Sequence, residues 1–257
     1  MKHLCGFYIS VDSATLTPVT TLVDDVLTRP ATDRYSVPSD LNKIAWAAGC
    51  GVNVTRLQVV APSLAVRRMT CDVIPIDRGA AGFTATSPKA FIPHADIVLT
   101  PTENFMVYGS EDGAGATAMY ALVCLQAPGP APAMPAGDFR VVRGTATATL
   151  TAQAWTTFTL TLEYDLEPGT YHLVGFIPGS AGLIGGRAIF TGQGYRPGMP
   201  GVQGTASTFQ QHDRENFEGL MWEDLGQFTH VNVPQFQFFS ASADTAETVE
   251  LYVVKTA

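Results

Sequence analysis

The stretch "FMVYGSEDGAGATAMYALVCLQ", Phe105 to Gln126, and the closing stretch "FQFFSASADTAETVELYVVKTA", Phe236 to Ala257, follow one plan. Each opens with an aromatic-led apolar run, passes a turn of small and acidic residues, and closes with a second apolar run. The leading phenylalanines stand 131 residues apart, and the same offset sets Thr117 on Thr248 and Val123 on Val254. It superposes Ala118, Tyr120 and Leu122 on Val249, Leu251 and Val253, the inward faces expected of the two last strands. Further back it sets Arg56 on Arg187, and Gly6 on Gly137, where each copy would begin. Identity at this offset is at chance level. Strands, turns and ends nevertheless agree without gaps over most of a domain, which reads as a tandem duplication of one all-β unit.

Between the copies lies "QAPGPAPAMPAGDF", Gln126 to Phe139. Its prolines can neither donate to a sheet ladder nor sit inside a helix, so it reads as a semi-rigid connector. The expected organisation is a first domain over residues 1–126, a Pro-rich linker over 127–137 and a second domain over 138–257.

Each half reads as short strands punctuated by Gly, Pro and Asp; 24 glycines and 17 prolines supply many turns. In "TTFTLTLEY" (Thr156 to Tyr164), Phe158, Leu160, Leu162 and Tyr164 alternate with Thr157, Thr159, Thr161 and Glu163, the period of a half-buried strand. Strands are also expected over 52–60, 69–76, 95–100 and 183–190, and over 139–151 with a bend at Gly144. "SDLNKIAWAAG" fits a capped helix or a strand. The best helix candidate is "NFEGLMWEDLGQF", Asn216 to Phe228, worth one or two turns. Regularly spaced short strands with turn signals indicate a sandwich or barrel.

Composition narrows the function. Hydrophobic residues make up 46 % and charged residues 15 %, a core-forming chain with little charge to cover a monomer's surface. The net charge is −8 and Arg67-Arg68 is the one adjacent basic pair, so direct nucleic-acid binding is not expected. "MKHLCGFYIS" has no signal-peptide pattern, and no apolar run reaches the roughly 18 residues of a membrane span. Cys5, Cys50, Cys71 and Cys124 form no CxxC and are expected as free thiols.

The search for chemistry assigns no catalytic residue, cofactor or metal. The five histidines form no HxH or HExxH, and no G-x-S-x-G occurs. "GSAGLIGGR" (Gly179 to Arg187) lacks the Lys-Ser/Thr ending of a phosphate loop and reads as a turn into a strand. His212, Asp213, Arg214 and Glu215 stand together in "QQHDREN", as an acid–base cluster, a pH-sensitive contact or a solvated loop before a short helix. "GQGYRPGMPG" (Gly192 to Gly201) reads as a long irregular loop. Tyr195 and Arg196 within it, with Trp222, are the candidate interface residues, since Tyr, Trp and Arg are favoured at interfaces. Gly109 to Ala116 is a second contact loop.

Two units of about 125 residues, each with room for roughly eight strands, in a weakly charged chain that shows no signal-peptide pattern, resemble the double jelly-roll major capsid proteins. Adenovirus and the tailless icosahedral bacteriophages with an internal membrane build their shells from these. The resemblance covers the whole chain in architecture and texture, with no diagnostic motif. It implies an all-β fold of two tandem eight-stranded jelly rolls and a non-enzymatic virion protein made in the host cytoplasm. It also implies homotrimers of pseudo-hexagonal outline, with the two jelly rolls of each chain side by side. Neighbouring trimers and penton, minor capsid or membrane proteins would be its partners. At this length, the tower insertions common in the family have little room. Two alternatives belong to other classes. One is a phage spike, decoration or carbohydrate-binding tandem sandwich, which a cluster of exposed Trp or Tyr would favour. The other is an enzyme like the tandem jelly-roll copper monooxygenases and glycan-cleaving amidases, which need metal sites or acidic clefts.

Overall fold

A computed structural model describes residues 1–11, 13–51, 53–73, 90–93, 95–112, 117–203, 217 and 219–256. The chain divides into two compact units, Lys2–Pro128 and Gly129–Ala257. The described secondary structure is almost wholly strand.

The N-terminal unit contains β1 (Lys2–Val11), β2 (Thr17–Pro18), β3 (Thr21–Val23), β4 (Tyr35–Ser36), β5 (Lys43–Gly51), β6 (Val54–Val60), α1 (Pro62–Val66), β7 (Cys71–Asp72), β8 (Ala90–Phe91), β9 (Ile97–Val98), β10 (Asn104–Glu111) and β11 (Thr117–Gln126). One sheet runs β3-β1-β11-β5-β8, with β9 also on β5; the other runs β2-β10-β6-β7, with β4 also on β10. The first and last long strands are therefore neighbours, Lys2 opposite Gln126 and Val11 opposite Thr117. Phe7 on β1, Tyr35 on β4 and Phe105 on β10 are fully buried, with ring centroids 5.3–6.0 Å apart. These rings join the two sheets of the unit.

The C-terminal unit contains β12 (Asp138–Ala146), β13 (Trp155–Phe158), β14 (Thr161–Leu162), β15 (Thr170–Ser180), β16 (Leu183–Ile189), β17 (Gly198–Pro200), β18 (Val202–Gln203), β19 (Gly226–Thr229), β20 (Gln235–Ser240) and β21 (Glu247–Lys255). One sheet runs β14-β12-β21-β15-β18, with β19 also on β15; the other runs β13-β20-β16-β17. Phe176 on β15 meets Phe236 on β20 edge-on at 5.2 Å, again joining sheet to sheet. Both units carry a one-residue bulge in the equivalent strand pair. Ala45 is skipped between the pairs Ile44–Leu125 and Trp46–Cys124, and Val174 between Leu173–Val253 and Gly175–Tyr252. Such a bulge bends the strand and tightens its twist.

Several expectations need correction. "TTFTLTLEY" is two strands, not one. Phe158 and Leu160 are buried as the alternation requires, but β13 pairs with β20 and β14 with β12, so the stretch passes from one sheet to the other. The expected strand over 139–151 stops at Ala146, and Gly144 pairs in register with Val249 and Leu162 without a break. The Pro-rich stretch is not free over its whole length. Ala133 bridges Glu223, and Asp224 N–H donates to Pro132 O, so this part packs on the C-terminal unit. The irregular loop over Gly192–Gly201 contains β17, whose residues are buried beside β16. Of the one or two helical turns expected within Asn216–Phe228, one is described, closed by Leu220 and Met221 N–H onto Phe217 O, and β19 occupies the far end of the stretch. All four cysteines are buried and free.

Candidate functional site

Trp222 owes its position to the segment before β19. Phe217 O accepts from Leu220 N–H at 2.8 Å and Met221 N–H at 3.1 Å, which closes one turn. Trp222 then takes φ 73°, a left-handed conformation rare for a bulky side chain. Its N–H donates to Val174 O at 2.7 Å, and Leu225 N–H donates to Leu173 O at 2.9 Å, so the segment lies along β15. Gly175 makes room: a Cβ there would meet Met221 Cγ at 2.8 Å. His172 Nδ1, 2.9 Å from Asp224 Oδ2, adds a side-chain tie. Leu220, Met221 and Leu225 turn inward, while Trp222 stays 42 % exposed.

Around Trp222 the sheet face is aromatic. Its ring lies 5.8 Å from Tyr252, edge-on, and 5.8 Å from Phe139. Phe139, at 44 %, and Val141, at 51 %, are exposed on β12. Tyr252 is buried between its neighbours and donates its hydroxyl to Glu250 Oε1 at 2.5 Å. Scattered exposed apolar residues are ordinary, but a contiguous group of this kind marks an interaction surface.

Tyr195 and Arg196 lie in the loop that leads into β17 of the other sheet, and both are half-buried. Arg196 Nη1 and the fully buried Arg187 Nε both donate to Gln237 Oε1 at 2.7 Å. Gln237 Nε2 donates onward to Thr157 Oγ1 at 2.7 Å. The Arg187 guanidinium carbon lies 4.1 Å over the Trp155 ring. Arg196 thus serves its own unit, tying the Tyr195–Arg196 loop to β20. Only Trp222, of the three candidate interface residues, stands in an exposed apolar group. His212, Asp213 and Glu215, and the tip of the 109–116 loop, lie outside the described residues.

The N-terminal unit carries a feature that the sequence did not announce: a cleft of about 690 Å³ between α1 and the turn entering β10. Glu103 braces it, its carboxylate accepting from Ser63 N–H (2.8 Å), Ser63 O–H (2.5 Å) and Thr100 N–H (2.7 Å). Arg67 donates to Ser63 O and Val98 O. Asn42 Nδ2 donates to Leu99 O at 3.0 Å, while Asn42 Oδ1 is buried without a hydrogen-bond partner. Val66, 84 % exposed, and Val98 give the cleft an apolar rim. Its parts are 20–60 residues apart in sequence, so no local motif could reveal it.

Among the described residues no group of three or more His, Cys, Asp or Glu could hold a metal ion. No described helix is long and apolar enough to cross a membrane. No family model matches the chain, and no curated protein does. Among solved structures, a Paenibacillus xanthan lyase is similar over 99 % of this chain and 25 % of its own length, at 12 % identity and a TM-score of 0.26. A likeness that weak carries no argument about this chain.

Proposed function

We propose that each unit is an eight-stranded jelly roll and that the chain is a double jelly-roll major capsid subunit, working as a homotrimer in an icosahedral shell. One observation carries this reading. With β3, β4 and β9 set aside, eight described strands of the N-terminal unit remain, and their chain ranks run 1-8-3-6 in one sheet and 2-7-4-5 in the other. With β14 and β19 set aside, the described strands of the C-terminal unit repeat both orders, with β18 parallel to β15 where its counterpart β8 is antiparallel to β5. That pairing of orders is what two Greek keys wound into a jelly roll produce. Two such units per chain let three chains supply six similar lobes, enough for a hexagonal tile. The low charge and the exposed Phe139–Trp222 group fit a surface meant to be covered. A net charge of −8 fits a shell that does not itself grip the genome. Neighbouring trimers and other shell or membrane proteins of the virion would be its partners.

The exposed indole of Trp222 also favours a second reading, a sugar-binding tandem module. Electron microscopy of the purified chain separates the two. Six-lobed particles, alone or tiled into sheets or shells, support the capsid subunit. Single-chain particles that retain glycans on a glycan array support the module.

A further inference from the structure

A closed threefold ring needs two different surfaces on each chain, because each copy meets the next head to tail. Among the described residues, each unit carries a group of exposed apolar side chains: the Trp222–Phe139–Val141 ridge and the Val66–Val98 cleft. Resting on the trimeric reading above, we infer that these two surfaces are partners, the Trp222 ridge of one copy entering the N-terminal cleft of the next.

Shape, hydrogen bonding and charge agree. The Trp222 group is exposed and aromatic, whereas the cleft is hollow. Its 690 Å³ falls within the roughly 300–1,000 Å³ of sites that bury a drug-sized ligand. An indole carries one N–H donor and no acceptor. The cleft wall holds an acceptor, Asn42 Oδ1, with no partner among the described residues, and a buried acceptor left unmade costs stability. Arg67 lines the cleft and Arg68 follows it, giving a cationic rim to meet the negative faces of Trp222 and Phe139. A large exposed aromatic seated in an apolar hollow is the usual form of an interface hot spot.

Cysteine pairing tests the inference directly, since the four native thiols are buried. Val66→Cys and Val141→Cys are placed together in one chain and treated with a short bismaleimide. Covalent dimers and trimers are expected on a denaturing gel. Either single variant alone should not cross-link, and an equal mixture of the two should stop at dimers. Trp222→Ala should remove the cross-link and raise the concentration for half-dissociation of the trimer by about 30-fold or more. Linkage within one chain, or Val66→Cys linking to itself, would overturn the inference. So would a trimer that survives Trp222→Ala unchanged, and in that case the trimeric reading stands. A wild-type chain that sediments only as a monomer would overturn both.

Discussion

Phe105→Ala and Phe236→Ala should each unfold one unit early and leave the other in place. Both rings are fully buried, and each is the second-sheet partner of an aromatic contact that joins the two sheets of its unit. Truncating such a ring removes its transfer energy and leaves a cavity, together about 3–5 kcal/mol. For units of about 125 residues, each kcal/mol lowers the midpoint by roughly 3–4 °C, so the expected shift is about 10–20 °C. Differential scanning calorimetry reads this best on the Val66→Glu background, where the altered rim should keep the chain monomeric. Val66 is largely exposed, so that change should not disturb the fold. Phe105→Ala should move one transition, Phe236→Ala the other, and the double variant both, with additive shifts. A single transition that moves equally for either substitution would refute the division into two independently cored units.

Gln237→Leu takes the shared acceptor from Arg187 and Arg196, two charge-assisted bonds, and should cost about 3 kcal/mol in a denaturant titration. Gln237→Glu, which keeps an acceptor there, should lose much less. Burial raises the pKa of Glu247, outweighing the Ala148 N–H that favours its charged form; Asp244 raises it further. The carboxyl therefore favours folding fully below its unfolded pKa, and that contribution is lost as pH rises through the raised folded value. Glu247→Gln should accordingly raise Tm near pH 7–8, change little near pH 4 and flatten the profile between; an equal shift at both ends would contradict this. Burial also pushes the Cys71 thiol up to about 11, so a disulfide reagent at pH 8 should find almost no thiol in the native chain and four after denaturation without reductant.

The repeated ending was readable because strand, turn and strand are local features. Asn104–Glu111 and Gln235–Ser240 begin 131 residues apart, as the offset requires. The period-2 pattern of Phe158 and Leu160 told which side is buried, but alternation does not name the sheet, and the switch from β20 to β12 at Thr159–Leu160 left no mark on it. Phe217, Leu220, Met221 and Leu225 are all buried, a spacing that mimics one helical face. The helix stops after one turn because backbone bonds from Trp222 and Leu225 to β15 are available instead. Arg56 and Arg187 match in position but not in surroundings. Arg56 pairs with Asp72 and is partly exposed, while Arg187 is sealed against Trp155 and Gln237. Trp222 was recognisable as an interface residue by type, whereas Arg196 was not separable from it, because its bond to Gln237 spans 41 residues.

Analytical ultracentrifugation of the unmodified chain at micromolar concentration is the most direct test of the capsid-subunit reading. A discrete species of about 82 kDa, three chains of 27.4 kDa, or larger assemblies built from it, is the expected result. A monodisperse 27.4 kDa monomer that forms neither trimers nor shells as concentration rises would contradict it.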